Sequence, residues 1–187
     1  MQGLFGVAHL KSSATRYGLW GPFVLCSVAL AALDPFLRTP LTPHGIFSFE
    51  FIGSLAQAQD AMAAWGAQGQ VAVGIGLGLD YLYLLIYGTL VYLLLGQQAE
   101  RMKNMSPLWA RYLRFLAALV PLVVLCDALE NFALIQLVLG SQQPLWAPLA
   151  LGCASLKFFG LAVDVGSWLL AKVYGRRANR SHTSPTA

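Results

Sequence analysis

Residues 71–95 read VAVGIGLGLDYLYLLIYGTLVYLLL, and the meaning of this stretch decides the fold. As a helix rising about 1.5 Å per residue it would be roughly 37 Å long, more than the roughly 30 Å hydrocarbon core of a bilayer. It contains no polar/apolar alternation of the kind a half-buried strand shows. A single ionisable side chain of the acid–base type, Asp80, interrupts it. The stretch reads as a transmembrane helix.

Three more apolar runs surround it, at about residues 17–37, 112–139 and 146–174. Of the 187 residues, 57% are hydrophobic and 11% charged, and mean hydropathy is +0.62. Soluble domains carry about 25% charged residues. The expected class is therefore all-α and polytopic: four transmembrane helices in a bundle, one membrane domain over residues 1–175. The polar residues 176–187 lack an apolar face and read as a disordered cytoplasmic tail. The first run also admits a cleavable leader ending at Ala29-Leu30-Ala31, although Asp34-Pro35-Phe36-Leu37 reads as the end of a membrane helix.

Charge placement sets the expected orientation. Lys11 and Arg16 precede the first run, and Arg101, Lys103, Arg111 and Arg114 lie around the connection between the second and third. Lys172, Arg176, Arg177 and Arg180 close the fourth. Ten of the 12 basic residues thus share one side, which the positive-inside rule assigns to the cytoplasm together with both termini. The same placement explains the net charge of +4 without nucleic acid. An inner, plasma membrane location follows, with membrane lipid as the surrounding partner, alone or in a homo-oligomer or larger complex.

On the opposite side lies a long loop between the first two helices. Phe47, Phe49 and Phe51 alternate with Ser48 and Glu50, the period of an extended segment. Ser54 and Gln57 have capping-box spacing. Leu55, Ala58, Met62 and Trp65 then form an apolar stripe that stops before Gly66. The pattern predicts a short amphipathic helix at the outer surface. Phe49, Phe51 and Trp65 are the candidates for a lid over the outer end of the bundle.

The ionisable residues inside the runs carry the functional signal. Placing such a group at bilayer depth costs roughly 2.5–3.5 kcal/mol on insertion scales. Asp80 lies about nine residues below the outer end of its helix, Glu130 about nine, Asp127 about twelve and Lys157 about eleven. These counts, from three separate helices, predict one shared level. Asp127, Glu130 and Asn131 share a helix face by their i, i+3, i+4 spacing, as do Asp80, Tyr83 and Tyr87. Lys157, Gly160 and Asp164 share a face of the fourth helix, where Asp164 either extends the polar track inward or caps the bundle near Lys172. Asp80, Asp127, Glu130, Asn131, Lys157, Tyr83 and Tyr87 are accordingly the expected ligand- or ion-binding set. Three carboxylates against one ammonium leave an excess of negative charge, so at least one acid is expected to hold a proton near neutral pH. Polar contacts between membrane helices often contribute under about 1 kcal/mol, so adhesion alone accounts poorly for the set.

Phe49-Glu50-Phe51-Ile52-Gly53, Trp65-Gly66, Leu79-Asp80-Tyr81 with Tyr87, Asp127-x-x-Glu130-Asn131 and Lys157 together resemble a group of uncharacterised bacterial four-helix membrane proteins. The resemblance covers about residues 46–172. It implies the same four-helix architecture and no particular activity.

Other features exclude more than they assign. His9, His44 and His182 lie outside the apolar runs, which disfavours haem and di-iron ligation in the bundle. Cys26, Cys126 and Cys153 are scattered over three runs and read as small core residues. No cofactor or metal site is expected. Gly74 and Gly78 have the spacing of a close helix contact. The leading expectation is a protein that binds or translocates a proton, a cation or an amine-bearing or lipid ligand at the acidic cluster. An accessory subunit of a membrane complex is the alternative. An enzyme is less expected: with no nucleophile beside a base, the remaining chemistry is proton transfer on a lipid or isoprenoid, with Asp127 or Glu130 as base.

Overall fold

The computed structural model describes residues 13–183, with side chains from 18 to 177. It is all-helical. Helix α1 spans Ser13–Leu33 and continues into a 3₁₀ turn at Asp34–Leu37. A five-residue helix, α2, spans Ile46–Glu50. The long helices α3 (Leu55–Met102), α4 (Pro107–Val138) and α5 (Trp146–Thr183) follow. Among the described residues four helices are long and apolar enough to cross a membrane: Gly18–Leu37, Leu55–Met102, Pro107–Val138 and Trp146–Arg177.

Helices α3, α4 and α5 pack on one another, and α1 lies chiefly against α3. The connection from α3 to α4 is too short for anything but antiparallel neighbours. At its other end α4 is closed by Gly140, whose φ of 84° is the left-handed conformation that lets Ser141 N–H return to Gln136 O. Helices α3 and α4 extend beyond the apolar runs read from sequence, adding polar turns at the end that carries Arg101 and Arg111. Helix α5 likewise continues through Arg176 and Arg177, both good helix formers, into the stretch read as a tail; residues 184–187 lie outside the described ones.

Gly66 divides α3. With φ 63° and ψ −168° it is not helical, and it separates the arm Leu55–Trp65 from the long run that contains Asp80. Ser54 caps the arm, its Oγ accepting from Gln57 N–H at 3.3 Å. Ala58, Ala61 and Trp65 turn inward and join Phe49, Leu134 and Ala147 in an apolar core. Trp65 Nε1–H donates to Leu37 O (2.8 Å) and to Thr42 Oγ1 (2.9 Å), tying the segment between α1 and α2 to the arm.

The extended reading of residues 47–51 is corrected. The segment is the helix α2, where Phe47 and Phe51, four apart, share a face and both rest on Phe158 with ring centroids 5.6 Å away. Phe49 points elsewhere, edge-on to Trp65 at 4.7 Å. A spacing of two in so short a run fits either geometry, and the packing chooses the helix. The glycine expectation also changes. A Cβ at Gly74 or Gly78 would meet nothing within 4 Å, so no helix approaches there. Between the long helices, close approaches fall at Gly88, where a Cβ would lie 2.4 Å from Val124 Cγ2, and at Gly160, 2.6 Å from Val123 Cγ2.

These approaches help define the layering. One apolar core, around Val73, Leu77, Leu134 and Ala150, fills the end near the Leu55–Trp65 arm. A second, around Leu95, Leu113, Leu116 and Ala171, fills the opposite end. Asp80, Asp127, Glu130 and Lys157, from α3, α4 and α5, lie between them.

Candidate functional site

Lys157 is the centre of the polar layer. Its side chain extends from α5 into the bundle and is 7% exposed. The ammonium lies 2.8 Å from Glu130 Oε2 and 3.1 Å from Asp127 Oδ1, both on α4. It also lies 3.6 Å from Glu50 Oε1, on α2. Three carboxylates from two elements therefore converge on one cation. The i, i+3 spacing of Asp127 and Glu130 places both on the face of α4 that meets α5.

The remaining members extend the network toward α3. Tyr87 O–H donates to Asp127 Oδ2 at 2.5 Å, so Asp127 is held on both oxygens. Asn131 Nδ2–H donates to Asp80 Oδ2 at 2.6 Å and links α4 to α3. Tyr83 is directed to α1 instead: its hydroxyl accepts from Ser27 Oγ at 3.1 Å, and its ring stacks on Phe23 with centroids 5.3 Å apart. It reaches the cluster only through edge contact with the Tyr87 ring.

Glu50 is the member that sequence reasoning left out of the set. It lies between the first two apolar runs, so its position in the chain gave no depth. Its sequence signals were a charge between two phenylalanines and its place in the Phe49–Gly53 motif. In the structure Glu50 is buried, directly beside the buried Phe49. Burial pushes its carboxyl up to about 7, with Asp80 and Asp127 adding to the rise and Lys157 opposing it. Desolvation disfavours the charged form more than the single ammonium favours it.

Hydrogen bonding within the cluster is incomplete. Glu50 Oε2 and Glu130 Oε1 are buried with no hydrogen-bond partner among the described residues. Glu130 Oε2 makes the 2.8 Å ion contact with Lys157. A carboxyl oxygen buried without a donor is costly unless it carries a proton or meets a small polar group. Glu130, wholly buried, is the extreme case.

The lid candidates divide. Phe49 and Trp65 are buried parts of the core around Val73 and Leu134, whereas Phe51 is about half exposed and covers Phe158, beside Lys157. The Lys157 ammonium also faces the Phe158 ring at 4.7 Å. Among the described residues no group of three or more His, Cys, Asp and Glu is arranged to hold a metal ion. The place where the carboxylates converge is occupied by the Lys157 ammonium.

Four membrane-length helices around this polar layer make the chain a multi-pass membrane protein. Compared with protein-family profiles, curated proteins and solved structures, it matches none.

Proposed function

We propose that this protein binds protons at the carboxylate–lysine cluster formed by Glu50, Asp80, Asp127, Glu130 and Lys157. The observation that carries the reading is a charge imbalance at bilayer depth with open valences. Four carboxylates are grouped with one ammonium, three of them within 4 Å of it, and Glu50 Oε2 and Glu130 Oε1 are buried with no donor among the described residues. Fully ionised, the group would hold three more negative charges than positive in a medium that solvates charge poorly. Protons on the carboxyls relieve that excess without needing space. A bound amine or metal cation fits less well, because Lys157 already fills the point of convergence.

In this reading the protein lies in a bacterial inner membrane with both termini cytoplasmic, as the basic residues and the resemblance argue. The Leu55–Trp65 arm and α2 lie at the outer surface, and lipid covers exposed apolar positions such as Leu25, Leu85, Leu122 and Leu156. Glu50 joins the cluster from α2, and Asp127 is the innermost of its acids by helix register. Protons enter from the outer side past Phe51.

Infrared difference spectroscopy of the purified protein tests the reading. A protonated carboxyl band is expected at neutral pH, weakened by Glu130→Gln. Complete ionisation of the four acids at neutral pH would overturn it.

A further inference from the structure

The cluster does not use the last buried acid, Asp164. It lies seven residues beyond Lys157 on the same face of α5, about 10 Å further toward the basic end. It is 3% exposed, and its Oδ2 is fully buried without a hydrogen-bond partner among the described residues. The expectation that it caps the bundle near Lys172 is not met: the Lys172 ammonium lies over the Trp168 ring, 4.5 Å from its centroid. No ion pair reaches Asp164 among the described residues. An acid kept at this depth for adhesion alone would be matched with a donor, and this one is not.

Its surroundings lead outward from the bundle. Ser167, one turn further on, is buried and lies with its Oγ 3.1 Å from Tyr112 OH on α4. Tyr112 is partly exposed and is flanked by the exposed Arg111 and Arg114. In the other direction apolar helix contacts lie between Asp164 and the cluster. Gly160 of α5 is pressed on Val123, and Gly88 of α3 on Val124. Two buried acidic groups are thus divided by closely packed apolar contacts that act as a seal.

Resting on the proton-binding reading of the cluster, the geometry points to Asp164 as an inner proton station, making the protein a path across the membrane rather than a closed site. The step moves one proton. An O–H bond breaks on a cluster carboxyl, water admitted at the Gly160–Val123 seal carries the proton, and an O–H bond forms on Asp164. The summed charge of the two stations is unchanged. Release then runs past Ser167 and Tyr112 to the basic face.

The test uses the full chain in lipid vesicles containing a pH-sensitive dye, with a pH gradient and the membrane potential clamped. Wild-type protein is expected to carry protons above the level of empty vesicles. Asp164→Asn should reduce that flux at least ten-fold, and Asp164→Glu should retain most of it. Asp164→Ser, also unable to take up a proton, should lose flux as well and replaces the Asn variant if that chain misfolds. The infrared carboxyl band of the cluster should persist in every Asp164 variant. Undiminished flux in Asp164→Asn or Asp164→Ser, or no wild-type flux above empty vesicles, would overturn the inner station while leaving the cluster's own test intact.

Discussion

Lys157 and Glu130 face each other across the α4–α5 interface at 2.8 Å, with both side chains removed from solvent. Each is poorly tolerated without the other. Breaking a buried pair from one side typically costs about 3–5 kcal/mol, because the remaining charge stays buried. Lys157→Met should therefore destabilise the protein by about that amount, read as a lower unfolding midpoint in detergent. Glu130→Gln in the Lys157→Met background should recover part of the loss, since one fewer carboxylate then needs compensation. A double-mutant cycle showing no coupling would contradict the contact.

Glu50 gives a pH prediction whose sign is fixed by its environment. Its carboxyl is raised from 4.5 to about 7 in the folded protein. The folded state therefore binds the proton more tightly than the unfolded chain does, and Glu50's contribution is fully present below about pH 4.5. It declines as pH rises and is gone above about 7. Glu50→Gln should remove this dependence. The difference in melting temperature between wild type and variant, measured across that interval, should change with pH; a constant difference would rule the shift out.

Much of this arrangement was legible before the structure, for a physical reason. Helical rise is constant, so distance from the end of an apolar run reports depth, and i, i+3, i+4 spacing reports face. That arithmetic brought Asp80, Asp127, Glu130 and Lys157 to one level and put Asn131 on the same face as Asp127 and Glu130. It failed wherever chain path is not set by a helix. Glu50 has no depth in the sequence because α2 is folded back onto the bundle by contacts distant in sequence, such as Trp65 with Leu37 and Phe49. Tyr83 shares a helix face with Asp80 by spacing, yet α1 supplies Ser27 and Phe23 and captures it. The glycines failed for a related reason: small-residue spacing marks where a helix is able to approach, and the partner surface decides where one does.

Asp80 and Asn131 form a pair whose members should not be equivalent to their joint removal. Asn131→Leu leaves the Asp80 carboxylate without its 2.6 Å donor and should cost about 1–3 kcal/mol. Asp80→Leu together with Asn131→Leu replaces both polar groups and should cost less than the Asn131 change alone. Equal or larger loss in the double variant, measured by unfolding in detergent, would show that the hydrogen bond is not what holds Asn131 in place.

Gly160 and Gly78 provide a matched comparison within the membrane. Alanine at Gly160 would place its Cβ 2.6 Å from a methyl of Val123, a stiff side chain on the opposing helix. Overpacking of this kind typically costs about 1–3 kcal/mol, and separating α4 from α5 would also lengthen the contacts of Lys157 with Asp127 and Glu130. Gly160→Ala should accordingly lower the unfolding midpoint and shift the carboxyl infrared bands together. At Gly78 nothing stands within 4 Å, and alanine has the better helix propensity by about 1 kcal/mol, so Gly78→Ala should be neutral or mildly stabilising. The reverse order of the two variants would mean that α3 presents its Gly78 face to a protein neighbour and that the close approach of α4 and α5 at Gly160 is absent.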